Sequence, residues 1–196
     1  MKTGTKLNNE TAVIIGGTGD IGHATAYLFV EAGANVVITG RAKSHTETRA
    51  SVFGSNVRGI AVDPGDEAQL HALFAEIGPF EYLLLTLGTQ AVTMPFTELP
   101  EEQLLRGMAA GLTRTNFWNR LGMSAEAQAA MFLDGERSIP LRHVAAPEEI
   151  ARALLFAATN RYTTGTILDT NGGLHLGRVN AQSEQSSFGS KPGAHR

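Results

Sequence analysis

Short apolar runs alternate with amphipathic segments along the first half of the chain. The predicted strands are the apolar runs at residues 11–15, 35–39, 57–62 and 82–87. The predicted helices lie between them, at residues 20–32, 44–52 and 66–77. Because parallel strands need long crossover connections, this alternation predicts an α/β fold, in which helices cover a doubly wound parallel sheet.

The second half of the chain predicts more helix than strand. Helices are expected at residues 100–108, 124–133 and 147–159, the last with a proline and two acidic residues at its start. A last strand is expected at residues 164–169. Residues 177–196 are rich in Ser, Gln and Gly and are predicted to form a disordered tail. Residues 1–176 therefore make one domain of ordinary size.

Composition narrows the class of partner. The 196 residues hold 16 Lys and Arg against 19 Asp and Glu, a net charge of -3, so no basic surface is expected to attract nucleic acid or anionic lipid. The chain has no Cys, and its 6 His are scattered, which disfavours disulfides and a metal site. No apolar run predicts a membrane span or a signal peptide, so a cytoplasmic protein is expected.

A glycine-rich turn follows the first predicted strand. Residues 16–22 read Gly-Gly-Thr-Gly-Asp-Ile-Gly and contain the GxGxxG pattern as Gly17, Gly19 and Gly22. Glycines at such a turn let backbone N–H groups approach a pyrophosphate at the N-terminus of the next helix. The turn predicts a dinucleotide site, the alternative being a tight turn without a ligand.

The turn resembles that of the short-chain dehydrogenase/reductase family. Gly16-x-x-Gly19-x-x-Gly22 is similar to the pattern of extended and atypical members, whereas ordinary members have glycine where this chain has Asp20. A carboxylate beside a pyrophosphate would be repelled, so we expect Asp20 to turn outward and cap the helix.

The end of the second predicted strand bears on the choice of cofactor. It reads Thr39-Gly40-Arg41, without the acidic residue that binds the ribose 2′-hydroxyl of NAD. A guanidinium accommodates the 2′-phosphate of NADP, so Arg41, with Lys43 nearby, favours NADP(H) over NAD(H). The alternative is a solvated loop.

The resemblance extends over roughly residues 10–175 and implies further cofactor contacts. Asp63 matches the position that holds the adenine ring, and Thr86-Leu87-Gly88 stands where the family has Asn-Ala-Gly. The segment from Ala110 to Thr115 resembles the family's Pro-Gly-x-x-x-Thr, whose residues meet the nicotinamide and the phosphates. The implied cofactor-binding set is Gly16, Thr18, Gly19, Asp20, Ile21, Gly22, Arg41, Asp63, Leu87, Gly88, Thr113 and Thr115.

The segment that carries the family's catalytic residues is missing. Only 21 residues, 89–109, separate Gly88 from Ala110, where the family has a catalytic Ser, a Tyr-x-x-x-Lys helix and two strands. Tyr27, Tyr82 and Tyr162 are followed four residues later by Glu, Thr and Thr. The pattern is therefore absent, and with it the tyrosine acid or base whose pKa the lysine lowers. No catalytic residue is assigned, since a lone His143, Thr86 or Thr89 is more often structural.

The missing segment also changes the expected sheet. We expect the last strand to move beside the fourth, in the order 3-2-1-4-last, and an edge left open there would permit self-association. Trp118, just after the nicotinamide-type segment, could line a substrate pocket or anchor a helix on the core.

Three functions remain open from the sequence. The first is an NADP(H)-binding relative of carbonyl or alcohol oxidoreductases with little or no turnover. The second is a working oxidoreductase that uses other residues, or a shortened form of an active parent. The third is a nucleotide-gated interaction scaffold. The sequence does not predict a substrate, because in this fold substrate contacts come from variable loops.

Overall fold

The computed structural model describes residues 7–87, 111–160, 162 and 168–174. Within them, four parallel strands form one sheet in the order β3-β2-β1-β4. The strands are β1 (Thr11–Ile15), β2 (Asn35–Gly40), β3 (Val57–Ala61) and β4 (Tyr82–Leu85). The predicted α/β class and the first four places of the strand order are confirmed. The predicted helix 100–108, most of the predicted last strand and the tail lie outside the described residues.

Helices connect the strands and continue after them. They are α1 (Asp20–Glu31), α2 (Lys43–Ser51), α3 (Glu67–Ile77), α4 (Phe117–Arg120), α5 (Ala125–Ser138) and α6 (Pro147–Thr159). A short 3₁₀ helix (Gly54–Asn56) precedes β3. The short α4 was not predicted, and α5 runs past the predicted end at residue 133 to Ser138. None of the described helices is long and apolar enough to cross a membrane.

The two central strands, β1 and β2, are buried on both faces, as their continuous apolar sequences predict. On one face, Ala12 and Ile14 pack with Phe29 of α1, while Leu154 and Leu155 of α6 lie against the same cluster. The other face carries a second cluster, formed by Val13, Ile15, Val37, Val62 and Leu73 and flanked by side chains of α3. Burial of these side chains on both faces fixes α1 and α3 on opposite sides of β1.

Strand β4 is less covered than its neighbour. Leu84 is 7% exposed, but Leu83 is 47% and Leu85 is 64% exposed. Val13 pairs with Leu83 and Ile15 with Leu85, so these two leucines share the face on which α3 packs. In the part of the chain that the structure describes, β1 is the one strand paired with β4.

Residues 111–145 build a smaller apolar cluster of their own. Phe132, Ile139 and Val144 are buried there, with Trp118 packed against them. The indole of Trp118 meets the Phe132 ring edge-on at 6.5 Å between centroids, and its N–H donates to the Thr113 carbonyl at 3.0 Å. The described contacts therefore support the interpretation of Trp118 as an anchor of a short helix.

Candidate functional site

The glycine turn lies where the carboxyl ends of the central strands meet. Gly16 has φ +87°, and a Cβ on it would lie 2.9 Å from the Thr86 carbonyl oxygen at the end of β4. A Cβ on Gly22 would lie 2.6 Å from both the Gly16 oxygen and Thr86 Oγ1. Backbone atoms cannot withdraw from such contacts, so the turn closes this tightly only with glycine at both positions.

Gly19 faces a different environment from the other two glycines. A Cβ there would meet one atom, the Gly16 oxygen at 3.4 Å, so this side of the turn is open. In the described structure, the backbone N–H groups of Asp20, Ile21 and Gly22 have no recorded acceptor, as is usual for the first turn of a helix. The open side of Gly19 thus adjoins a set of free donors at the positive end of α1.

The end of β2 lies beside the turn. Cβ on Gly40 would be 2.6 Å from Thr18 Oγ1, so Thr18 packs directly on the residue before Arg41. Arg41 is exposed and makes no recorded ion pair or hydrogen bond among the described residues. Its guanidinium is free to meet a ligand that lies over Thr18 and Gly40.

Asp63 follows β3 at the same edge of the sheet. The Val62 N–H donates to the Gly40 carbonyl at 2.9 Å, which brings residue 63 next to the end of β2. The Asp63 carboxylate accepts the Gly65 N–H at 3.0 Å, and its own N–H donates to Gln69 Oε1 at 3.0 Å. In this conformation the Asp63 side chain therefore stabilises the turn between β3 and α3.

Asp20 does not cap α1. The N-cap is Gly19, and no side-chain cap is present, so the expectation of an outward-turned capping carboxylate is wrong. Asp20 Oδ2 instead accepts the backbone N–H of Asn116 at 2.5 Å, and Asp20 Oδ1 lies 3.7 Å from Arg49 Nη2. A cap bonds a neighbour in sequence, whereas this carboxylate reaches a residue 96 positions later.

Two residues beside Asp20 carry buried polar atoms that the sequence did not single out. His23 Nδ1 and Arg49 Nε are buried and have no hydrogen-bond partner in the described structure. Burial lowers the pKa of His23, the Arg49 charge lowers it further, and Asp20 opposes the shift. The His23 ring packs on Phe53 at 4.7 Å between centroids. No local pattern marks Arg49, because its role depends on the packing of α2 beside α1.

Of the two threonines after Gly111, one is turned inward. Thr113 is 6% exposed, and its hydroxyl donates to the Gly111 carbonyl at 2.9 Å. Its backbone pairs with Ala145 as an isolated parallel bridge. Thr115 is half-buried and precedes the Asn116 that bonds Asp20. Leu87 is 45% exposed near Gly16, and Gly88 lies outside the described residues.

The residues considered as replacements for the missing proton donor are engaged elsewhere. Thr86 Oγ1 donates to the Ile15 carbonyl at 3.1 Å. His143 Nε2 lies 2.7 Å from Glu149 Oε2, which also accepts the Ala146 N–H at 2.8 Å at the start of α6. Thr89 lies outside the described residues, and the described part of the chain holds no group of three or more His, Cys, Asp or Glu side chains suited to a metal ion.

The structure therefore brings five sequence-predicted elements to one edge of the sheet, one of which is Asp63 after β3. The other four are the glycine turn, the β2 end with Arg41, the β4 end with Leu87, and the segment that reaches Asp20 through Asn116. Together with the strand order, they define an α/β protein of the Rossmann type. The family model for short chain dehydrogenases matches residues 10–132, and the chain belongs to that family.

Two relatives show the same kinship. The chain is 33% identical over 124 residues to the NADP-dependent (R)-specific alcohol dehydrogenase of Lentilactobacillus kefiri, a match that covers 60% of this chain and 49% of that protein. It is 30% identical over 128 residues to the oxidoreductase asL5 of Sarocladium schorii, covering 63% and 51%. The matched part thus spans about half the length of these relatives.

Solved structures support the fold. A short chain dehydrogenase/reductase family protein superimposes with a TM-score of 0.67 at 24% identity, over 87% of this chain and 99% of that one. A structure of the Pseudomonas aeruginosa RhlG/NADP active-site complex gives 0.69 at 19% identity, over 90% and 100%. At these identities the similarity concerns the fold alone.

Proposed function

We propose that this chain binds NADP(H) at the glycine turn. The observation that carries the proposal is the closed turn itself, with Gly16 and Gly22 against β4, Gly19 open, and free N–H groups at the start of α1. This turn fits a pyrophosphate, because glycine residues have no Cβ and so leave room for the phosphates to approach the backbone N–H donors. Membership of a family of nicotinamide-dependent oxidoreductases supports the same ligand.

The family resemblance implies the remaining cofactor residues. Gly16, Thr18, Gly19, Asp20, Ile21 and Gly22 would surround the pyrophosphate, with Thr113 and Thr115 on its nicotinamide side. Asp63, Leu87 and Gly88 would lie along the adenosine and ribose, and the free Arg41 would meet the 2′-phosphate. When bound, the nicotinamide would supply or accept a hydride for a carbonyl or alcohol substrate.

We also propose that turnover is slight or absent. No Tyr-x-x-x-Lys pattern occurs in the sequence, and the described Thr86 and His143 are hydrogen-bonded within the fold. Hydride transfer to a carbonyl needs a proton at the oxygen, and in this family the missing tyrosine would supply it. Carbonyl reduction by the purified protein with NADPH, abolished by removing a named residue, would instead establish an active oxidoreductase.

The test is a fluorescence titration with NADPH and NADH. Wild type is expected to bind NADPH in the micromolar range and NADH more weakly. Arg41→Ala should weaken NADPH binding by about tenfold or more and leave NADH binding unchanged, since only NADPH carries the 2′-phosphate. Arg137→Ala is the matched control, because Arg137 is an exposed arginine on α5. Equal loss for both cofactors in Arg41→Ala would contradict the assigned preference.

A further inference from the structure

Asp20 is the one charged residue of the glycine turn, and it lies at the start of α1. It is the first residue of α1, beside the open Gly19 and among the free N–H groups of the first turn. Its carboxylate is 22% exposed and points to a neighbouring segment, not to its own helix. An anionic side chain thus lies beside the helix start at which the proposed pyrophosphate would bind.

The contact that Asp20 makes is of the kind a phosphate would make. The Asn116 backbone N–H donates to Oδ2 at 2.5 Å, and the Asn116 amide group reaches Oδ1 at 3.4 Å. Arg49 adds a guanidinium at 3.7 Å from Oδ1. Backbone amides and guanidinium groups are the common ligands of phosphate oxygens in proteins.

Asn116 is tied to the rest of its segment. It is the N-cap of α4, and its side-chain oxygen accepts a hydrogen bond from Asn119 at 3.1 Å. Asn119 in turn accepts from Gln128 of α5 at 2.6 Å. The Asp20 carboxylate therefore joins the start of α1 to a connected unit that includes α4 and α5.

We propose that Asp20 is an internal competitor of the dinucleotide pyrophosphate. With Asn116 bonded to Asp20, the carboxylate repels the incoming phosphates and holds the Asn116 N–H away from them, so binding requires this contact to open. Asp20 is then a residue that sets cofactor affinity by opposing it. This inference rests on the proposed binding of NADP(H).

Removing the Asp20 charge should favour NADPH binding whether Arg49 pairs with residue 20 or with the phosphates. Removing the Asp20 charge raises the local charge by one whether Arg49 stays in place or turns to the phosphates. Asn at position 20 keeps the shape of the side chain and an oxygen that can accept the Asn116 N–H. Asp20→Asn should therefore fold as wild type does and bind NADPH at least about tenfold more tightly.

The experiment compares wild type, Asp20→Asn and Glu31→Gln by calorimetric titration. Glu31→Gln is the matched control, since it removes one carboxylate from the exposed far end of the same helix. NADPH is titrated beside adenosine, which lacks phosphate. Tighter NADPH binding by Asp20→Asn, with adenosine binding and the Glu31→Gln protein unchanged, supports the inference.

Other outcomes separate this inference from the function on which it rests. If wild type binds NADPH and Asp20→Asn binds it equally or more weakly, Asp20 is no competitor while the cofactor site stands. If neither protein binds NADPH at millimolar concentration, both proposals fall. As a second readout, the ¹H–¹⁵N resonance of the Asn116 amide in wild type should change position on saturation with NADPH, because the N–H loses its bond to Asp20, and an unchanged resonance overturns the inference.

Discussion

Two glycines of one turn differ in what a methyl group would meet. At Gly22, a Cβ would lie 2.6 Å from the Gly16 oxygen, so Gly22→Ala should lose about 1–3 kcal/mol of unfolding free energy. At Gly19, the Cβ would make only an ordinary contact, 3.4 Å from the Gly16 oxygen, so Gly19→Ala should stay within about 1 kcal/mol of wild type. Gly19→Ala should nevertheless weaken NADPH binding, because its methyl enters the ligand's approach. Urea unfolding and NADPH titration of both variants check this, and a Gly19→Ala protein that binds normally would contradict it.

The local sequence predicts the glycine turn but not the hydrogen-bond partner of the Asp20 carboxylate within it. The spacing of Gly16, Gly19 and Gly22 after an apolar run predicts the turn, because backbone sterics are local. The partner of Asp20 is set by how residues 111–120 fold back onto α1, which no local pattern encodes. The position of Arg49 beside Asp20 depends on tertiary packing in the same way.

At the scale of elements, the start of α6 is capped by one side chain, that of Glu149. Ala146, the N-cap, has no side-chain acceptor, and Glu149 takes its N–H at 2.8 Å. Glu149→Ala should therefore lower the unfolding free energy by about 0.5–2 kcal/mol. Glu148→Ala is the control, since Glu148 lies in the same first turn but has no recorded hydrogen bond in the described structure. Equal losses for the two variants would show that the helix dipole, not the cap, is responsible.

The same cap predicts a dependence on pH. The Ala146 N–H bond, followed by the bond to His143, lowers the pKa of Glu149. A carboxyl whose folded pKa is depressed contributes stability that is present above its unfolded pKa, about 4.3, and is lost as the pH falls through the folded pKa. The stability difference between wild type and Glu149→Ala should thus shrink between pH 6 and pH 3. Urea midpoints at both values measure it.

Element types were more predictable than element ends. The apolar runs of β1 and β2 predict these strands nearly to the residue, because continuous burial leaves a clear pattern in the sequence. Strand β4 ends at Leu85, two residues before the predicted end, where Thr86 turns its hydroxyl back to Ile15. The four-residue α4 has too few turns to produce a helical period, so its pattern carried no signal.

At the scale of the whole molecule, the first and second halves meet through α6. Sequence periodicity predicts α6 as a helix, but its packing on α1 is a tertiary fact that periodicity does not contain. The predicted place of the last strand beside β4 stays a prediction, because most of that strand lies outside the described residues. The family resemblance carries tertiary information that local patterns lack. It groups the segment from Ala110 to Thr115 with the glycine turn, and in the structure the next residue, Asn116, bonds Asp20.

This packing predicts that the two halves unfold together. Leu155 packs on the cluster beneath α1, whereas Phe156, its neighbour on α6, is 51% exposed. Leu155→Ala should cost about 1–3 kcal/mol of unfolding free energy, less than a fully buried leucine, and Phe156→Ala should cost much less. The one tryptophan, Trp118, lies in the separate cluster around Phe132, so its fluorescence reports the second half. If α6 couples the halves, Leu155→Ala shifts the fluorescence and far-ultraviolet circular dichroism transitions equally. A shift in circular dichroism with the Trp118 transition unmoved would mean that residues 111–145 unfold independently of the sheet.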